Sequence, residues 1–417
     1  MIPLFVLASA QPQNGPLSNA SPGISTSSQR SLSSLAQEAD MNVLGLVLVV
    51  VAAVCAFAVI YPYLVYPALL RLLPAVQSQQ GTDDPPRASD FAILFCAFNE
   101  ERSAQAKVEN LSRLRERHPD LEIRIYDDAS TDRTAEIFGT LGPGVVLRSS
   151  ERAGKATGMA RLVASTERDI LLFTDANVLL AEDIIDRSAP YFSDPTVGGV
   201  CGHLSYDAAE ATATQAAGGA YWRLEEAIKR LESRSGSVIG GDGSIFVMRR
   251  ELYPEVPATA QDDFTATMNV VFEKKRLVVA DDVIVRERLV AKSGDEYRRK
   301  VRISARAMHT HMKMRDRLTE MSALDRWKYA SHKVTRWFGA LFLGLGLISG
   351  VLGLTVVSPP VGFATLSIVG ALGLLIWFVP QLGAIREVII AVLATGQGVF
   401  LALTGATFAT WTPPQSR

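Results

Sequence analysis

Three short segments hold the groups best suited to chemistry. Tyr126-Asp127-Asp128-Ala129-Ser130-Thr131-Asp132 places two adjacent carboxylates before a run of polar residues. Acids at a strand end can accept hydrogen bonds from the N–H of a base or from ribose hydroxyls. The alternative is a helix N-cap at Ser130, Thr131 or Asp132, which accounts for Asp132 but not for the pair ahead of it. Phe173-Thr174-Asp175-Ala176-Asn177 offers a carboxylate and an amide oxygen two residues apart. Such a pair suits Mg²⁺ or Mn²⁺ when substrate phosphates complete the shell, although Asp-x-Asn turns are common without any metal. Gln261-Asp262-Asp263-Phe264 contains an acid able to act as general base on a hydroxyl, or a second helix cap.

Three further segments have weaker signals. Arg152-Ala153-Gly154-Lys155-Ala156 opens a helix, whose N-terminus favours anions, so Lys155 is placed to meet a phosphate. In isolation a solvated surface lysine is the stronger reading. Gly240-Gly241-Asp242-Gly243-Ser244 lets backbone approach a ligand closely or makes a plain hairpin turn. Tyr297-Arg298-Arg299-Lys300-Val301-Arg302 begins a basic stretch that runs through Arg306, Lys313, Arg315 and Arg317 to Arg336. Arginine forks bind pyrophosphate bidentately, and a basic amphipathic helix also lies on anionic lipid. Both are expected, the first turns facing the site and the remainder on the membrane.

These groups need a scaffold, and the pattern around them supplies one. Phe91 to Ala97 is a buried strand, and 102–117 a polar amphipathic helix. Leu121 to Tyr126 is a strand, 133–140 helical, Val145 to Leu147 a strand, 155–167 a helix, and Asp169 to Phe173 a strand. This alternation predicts an α/β fold with a mostly parallel sheet. Ligands bind beyond the carboxyl ends of such strands, where Asn99-Glu100, Asp127-Asp128 and Asp175-Ala176-Asn177 fall.

The charge distribution sets the boundaries. Of 42 basic and 43 acidic residues, only seven lie outside 72–336. The balance gives a net charge of -1 and no reason to expect nucleic acid as a partner. Residues 1–40 read as a disordered or signal-like N-terminus, with Met41 as an alternative start. Residues 41–70 are free of charge and long enough for one membrane span. Residues 337–410 allow three more, the first two divided at Ser358-Pro359-Pro360. Arg71, Lys328, Lys333 and Arg336 flank the spans and favour a cytoplasmic 72–336 domain with C-terminal amphipathic interface helices. Cys55, Cys96 and Cys201 show no spacing of a disulfide or zinc site.

In order and spacing, these motifs over roughly 90–336 resemble glycosyltransferase family 2, the inverting GT-A group that includes cellulose and hyaluronan synthases. The resemblance implies a GT-A nucleotide-diphospho-sugar transferase domain flanked by about four transmembrane helices, in the inner (plasma) membrane. It implies donor binding by Asn99, Glu100, Asp127, Asp128, Lys155, Asp175 and Arg299, with Mg²⁺ or Mn²⁺ on Asp175 and Asn177. It assigns Gly241, Asp242 and Gly243 to the acceptor. Asp262-Asp263 stands where the family has Glu-Asp, so Asp263 is the implied base, with Asp262 and Arg302 beside it in the catalytic set. Of the Gln-x-x-Arg-Trp motif of processive members, only Arg302 is kept, which counts against long-chain synthesis. Ser331-His332-Lys333-x-x-Arg336-Trp337 also resembles these membrane synthases. The implied acceptor is a glycan or a lipid-linked group, with export subunits as partners in envelope glycan synthesis.

A nucleotidyl- or phosphoryl-transferring enzyme calls for a Gly-rich phosphate loop after the first strand, where this chain has Phe98-Asn99-Glu100-Glu101. A degenerate scaffold subunit would have lost the acids, and this chain retains them, with Asn177 in place of one. Within the enzyme reading, transfer of one sugar to a lipid is the alternative to polymer extension. Asn177→Asp restores the commoner carboxylate and is expected to keep activity.

Overall fold

The computed structural model describes residues 26–77, 84–206, 213–287 and 293–408. Its strands are β1 (Phe91–Ala97), β2 (Glu122–Asp127), β3 (Val146–Arg148), β4 (Ile170–Thr174), β5 (Leu179–Leu180), β6 (Val197–Tyr206), β7 (Ile245–Arg249) and β8 (Arg276–Glu287). They form one sheet in the order β3-β2-β1-β4-β7-β6-β8-β5. β1 is parallel to β2 and β4, β2 to β3, and β6 to β8. β7 enters antiparallel between β4 and β6, and β5 closes the edge antiparallel to β8. The expected mostly parallel sheet is present. The chain leaves β1 toward β2 and β3, then returns to β4 on the other side, so the crevice at the carboxyl ends of β1 and β4 is the switch point that receives ligands in open sheets.

Every residue of β1 is buried because both sheet faces are covered. Side chains alternate between the faces. Phe91, Ile93 and Phe95 join a core with Leu111 and Leu114 of α3 (Glu101–Arg117) and Phe138 of α4 (Thr134–Gly139). Ala92, Leu94 and Cys96 join another with Met159 and Leu162 of α5 (Lys155–Ala164). That second core also includes Met268 of α8 (Asp262–Phe272), Ala305 and Met308 of α9 (Ser293–Met314), Trp337 and Val399. It therefore runs without a break from the sheet to the apolar C-terminal helices. Burying one such side chain stabilises by about 1.5–3 kcal/mol.

Four helices among the described residues are long and apolar enough to cross a membrane: Gln37–Ile60, Gly339–Val357, Pro359–Phe378 and Ile385–Leu403. They lie in α1 (Thr26–Ile60), α12 (Gly339–Val357), α13 (Pro359–Phe378) and α14 (Gly383–Leu403). The break at Ser358 is as expected, with proline at the first positions of α13. Two boundaries differ from the sequence reading. The charge-free run 41–70 is not one helix: a turn at 61–64 ends α1, and α2 (Val65–Leu72) folds back against α7 (Ala213–Arg234). Tyr66 is fully buried there, its hydroxyl donating to Glu232 at 2.5 Å, which no lipid-facing helix provides. Residues 26–40, expected to be disordered, continue α1 as helix, in a stretch without proline or glycine; residues 1–25 lie outside the described ones.

The basic stretch also differs from a helix lying on lipid. α9 is wedged between α8 and α14, with Tyr297 donating to Gln397 at 2.6 Å and His309 paired with the Ala406 carbonyl at 2.7 Å. The short helices α6 (Ile184–Ser188), α10 (Ala323–Tyr329) and α11 (Thr335–Trp337) complete the fold, a π-helical turn at Ala330–Val334 joining the last two. Lys328 is buried and donates to the carbonyls of Glu232, Ser235 and Ser237 at the end of α7. His332, fully buried, bridges Glu232 and Glu225 at 2.7 and 2.8 Å, and Arg336 pairs with Glu225. The flanking cations are thus tied to the domain.

α1 and α12 pack through small residues, as membrane helices do in the absence of a hydrophobic drive between them. A Cβ at Gly353 would lie 2.8 Å from the Gly45 carbonyl oxygen and 2.9 Å from Leu48 Cβ. Gly353→Val should therefore overpack this contact at a cost of about 1–3 kcal/mol. A lower thermal aggregation midpoint of the detergent-solubilised protein is expected. An unchanged midpoint would remove the contact from the stability of the bundle.

Candidate functional site

The loop after β1 and the loop after β2 are laced together. Asn99 adopts φ 52°, its N–H donates to Ser130 Oγ at 3.0 Å, and its Oδ1 accepts from the Thr131 N–H at 2.9 Å. The Glu100 N–H donates to Thr134 Oγ1 at 2.8 Å, while its carboxylate accepts from Ser103 Oγ. Asn99 and Glu100 thus set the shape of the crevice mouth.

The two acids at the end of β2 do different work. Asp128 is fully buried, and its carboxylate accepts the Ala153 N–H at 2.7 Å, the Gly154 N–H at 3.1 Å and Arg152 Nε at 2.9 Å. It moulds the loop leading into α5, where Gly154 holds φ 84°, a conformation glycine adopts without penalty. Asp127 is also buried, yet only its Oδ2 is engaged, by the Ser130 N–H at 3.4 Å and Arg148 Nε at 3.5 Å. Oδ1 has no partner. An orphaned buried acceptor at a ligand crevice is the mark of a group awaiting a donor. Of the pair, Asp127 is the one free to meet a base or ribose.

Lys155 is half-buried at the head of α5. Its ammonium lies 2.8 Å from Asp175 Oδ1 and 3.7 Å from Asp262 Oδ2. Burial opposes its charge, but Asp175, Asp262 and Asp263 outweigh that and raise its pKa. The surface-lysine reading is excluded. Asp262 is buried and also meets Arg306 Nη2 at 3.6 Å, whereas Asp263 is half-buried and accepts the Phe264 N–H at 2.7 Å. Burial first, and the neighbouring Asp262 second, push the pKa of Asp263 up to about 7, against the pull of Lys155, the Phe264 N–H and Arg306. A Cβ at Gly243 would stand 2.7 Å from Asp263 Oδ2 and 3.3 Å from Lys155 Nζ, so this glycine borders the same space. The Gly241 N–H donates to Thr267 Oγ1 at 2.9 Å, and Asp242 pairs with buried Lys229.

Arg306 went unassigned from sequence although its basic stretch was noted. α9 places Arg299, Arg302 and Arg306 three and four residues apart on one face; Arg306 reaches Asp262 and donates to the Ala260 carbonyl. Arg299 and Arg302 are half-buried on the same face.

Asn177 donates through Nδ2 to Oε1 of buried Glu287 at 2.8 Å. The amide oxygen is thereby turned away from the glutamate. With Asp175 it makes a pair of hard oxygen donors, and no group of three or more His, Cys, Asp or Glu among the described residues forms a closed cage. Two protein oxygens and an open remainder fit Mg²⁺ or Mn²⁺ held jointly with a diphosphate.

Residues 92–256 match the model of the family described as glycosyl transferase family 2. This segment is a family 2 glycosyltransferase domain. The glycosyltransferase fold is GT-A, as expected from sequence. Over the described residues the architecture is similar to that of the mannosyltransferase PcManGT from Pyrobaculum calidifontis, solved with GDP-Man and Mn²⁺. The TM-score is 0.67 at 17% identity, covering 85% of this chain and 99% of that one. Among curated proteins, the chain is 32% identical over 115 residues to a beta-monoglucosyldiacylglycerol synthase of Nostoc sp., covering 26% of this chain and 25% of that protein. It is 34% identical over 115 residues to the Synechocystis sp. protein of the same name, covering 25% and 23%. The matched part thus spans about a quarter of those relatives. The family match ends at residue 256, so Asp262, Asp263 and Arg306 rest on geometry.

Two predictions follow from this geometry. Asp128→Ala removes the acceptor of three hydrogen bonds, two of them from buried or half-buried backbone, and should lower stability by about 2–4 kcal/mol. Asp127→Ala should barely move the melting temperature but weaken nucleoside diphosphate binding at least several-fold by calorimetry; the reverse pattern would exchange their roles. Asn177→Asp replaces a donor to buried Glu287 with a second carboxylate. Activity is still expected to be kept, while the lost bond to Glu287 adds an expected cost in stability. The metal-free variant should melt lower than the wild type, and Mn²⁺ should recover much of the loss. Equal melting in chelator would mean that the Asn177–Glu287 bond contributes nothing.

Proposed function

We propose that the chain transfers one hexosyl group from a nucleoside-diphospho-sugar to a lipid hydroxyl at the membrane surface, by a single inverting displacement. The observation that carries this is the position of Asp263. Phe264, its neighbour, stacks on Tyr329 at 6.4 Å between ring centroids and meets Trp337 edge-on at 6.3 Å. Trp337 lies two residues before the candidate span Gly339–Val357. A base whose neighbouring residue packs near the head of a candidate span suits an acceptor that arrives in the bilayer. The named activity of the Nostoc sp. and Synechocystis sp. relatives supports a glycolipid product, and the missing Gln and Trp beside Arg302 count against polymer extension. The polysaccharide reading keeps only its family-level support.

In this mechanism Asp127 receives the nucleoside. Asp175 and Asn177 hold the cation, which when bound would supply positive charge to the departing diphosphate. Lys155 and Arg302 stand by the same leaving group. Asp263 takes the proton of the acceptor hydroxyl as its oxygen attacks the anomeric carbon and the bond to the diphosphate breaks. A base is most effective with a pKa near the working pH, and about 7 meets that condition. Asp262, bound by Lys155 and Arg306, is the fixed neighbour that helps to raise it. The domain is assigned to the cytoplasmic side on the cations that flank the spans.

The test uses full-length protein in detergent with diacylglycerol and a panel of nucleoside-diphospho-hexoses, the lipid product being weighed by mass spectrometry. One added hexose per lipid is expected. Hexose ladders would restore polymer extension, and no lipid product with any donor would overturn the acceptor. Asp263→Asn should lose about 10²–10⁴-fold in turnover. Because the fold disfavours the ionised form of Asp263, the variant should melt no lower than the wild type at pH 8. Asp263 works only when ionised, so wild-type turnover should rise with pH through about 7. Asp262→Asn should mainly lower the melting temperature. If it proves the more damaging to turnover, the base is Asp262.

A further inference from the structure

One buried cation takes no part in the reaction derived above. Lys107, on α3, is fully buried within the core under the sheet. Its ammonium lies 5.2 Å from the centroid of the Phe95 ring, and its only hydrogen bond among the described residues goes to the carbonyl of Val178. A buried ammonium with one acceptor is costly, and a leucine or methionine would fill the same space at no such cost. One turn further along α3, buried Asn110 grips Leu180, two residues further along the chain. Its Nδ2 donates to the Leu180 carbonyl at 2.7 Å, and its Oδ1 accepts the Leu180 N–H at 2.8 Å.

These three bonds converge on a short stretch. The Val178 N–H closes back on the Asp175 carbonyl at 3.3 Å, making the turn that presents Asp175 and Asn177. Leu179 and Leu180 then form β5, a two-residue strand with little pairing of its own. A strand so short does not fix the turn before it. Asn177 is anchored on the far side, by Glu287. The turn is held from above by β8 and from beneath by α3.

We propose that Lys107 and Asn110 are positioning residues for the cation–diphosphate turn, gripping the backbone of Val178 and Leu180 so that the Asp175 and Asn177 oxygens stand ready at one ligand separation. This deepens the reading of the Asp175–Asn177 site given above and rests on it. It explains why a helix face otherwise made of Ala104, Leu111 and Leu114 gives two of its inward positions to polar groups. Neither residue touches substrate or metal. Their contribution is to remove the freedom that the turn would otherwise have to lose on binding.

The test uses full-length protein in detergent. Mn²⁺ binding in the presence of nucleoside diphosphate is read from the free-ion electron paramagnetic resonance signal, and the Mn²⁺ dependence of turnover is measured in parallel. Lys107→Met keeps the volume and removes the grip, and Asn110→Ala removes the second grip should the first variant fail to fold. Outer residues that orient a metal site typically govern about 10–100-fold in metal affinity, and a rise of that size in half-saturating Mn²⁺ is expected for either variant. Turnover at saturating Mn²⁺ should stay near that of the wild type, as should diphosphate binding in chelator. Lys107→Gln, which keeps a donor, should recover part of the Mn²⁺ affinity. Unchanged Mn²⁺ dependence in folded variants would overturn the proposal. So would an equal loss of turnover and Mn²⁺ affinity with a lowered melting temperature, which marks a merely structural role. Failure of the wild type itself to bind Mn²⁺ with diphosphate would overturn the site reading, and this proposal with it.

Discussion

One ammonium holds the two halves of this site together. Lys155 enters the crevice from the head of α5 and meets Asp175 at the end of β4 and Asp262 at the start of α8. Those acids come from segments nearly ninety residues apart, and without a cation between them they would repel. The loop that delivers Lys155 is itself folded around a buried carboxylate, Asp128. The order of dependence is therefore plain. β2 supplies Asp128, Asp128 shapes residues 152–154, that loop aims Lys155, and Lys155 lets three carboxylates share one cleft.

The adjacent acids at the start of α8 show how backbone geometry divides labour. Consecutive residues on a helix point in directions about 100° apart, so Asp262 and Asp263 cannot share surroundings. Asp262 turns inward to Lys155 and Arg306. Asp263 turns to the space bordered by Gly243 and accepts a hydrogen bond from the Phe264 N–H. Environment pushes paired titratable groups apart in this way at many acid–base sites. The choice between these two residues is undecidable from sequence, because a one-residue shift leaves the local pattern unchanged.

Most of the nucleotide-binding half of the sheet was legible. Its strands are continuous apolar runs, its helices are amphipathic, and its polar clusters fall where parallel strands end. The other half was harder. β6 carries Gly198, Gly199 and Gly202, which weaken any strand signal, yet a Cβ at Gly202 would lie 2.7 Å from the Val283 carbonyl oxygen, so close packing demands them. Helix α2 was hidden within an apolar run because composition cannot show that Tyr66 turns inward to Glu232. Lys107 and Asn110 escaped notice for a related reason. On a charged helix, two more polar residues look like solvent-facing ones until the packing shows which way they point. Arg306 was visible as part of a basic stretch, but its partner Asp262 lies forty-four residues away and only the fold unites them.

The second core ties the apolar C-terminal helices to the candidate site. It begins on the β1 face with Leu94, passes through Met268 of α8 and Met308 of α9, and ends on Val399 and Ala402 of α14. α9 lies close enough to α14 that a Cβ at Gly398 would be 2.3 Å from the Val301 carbonyl oxygen. Packed interiors transmit displacement because they are dense and stiff. Any tilt of α14 must therefore move α9, and α9 carries Arg302 and Arg306. On the other side, His332 and Arg336 lock the start of the second span to Glu225 and Glu232 of α7, whose Lys229 holds Asp242. Asp263 thus lies between two packed links to the apolar helices, one through α9 and one through α7. Separating the domain from these helices would leave the packed faces exposed and both links without anchor.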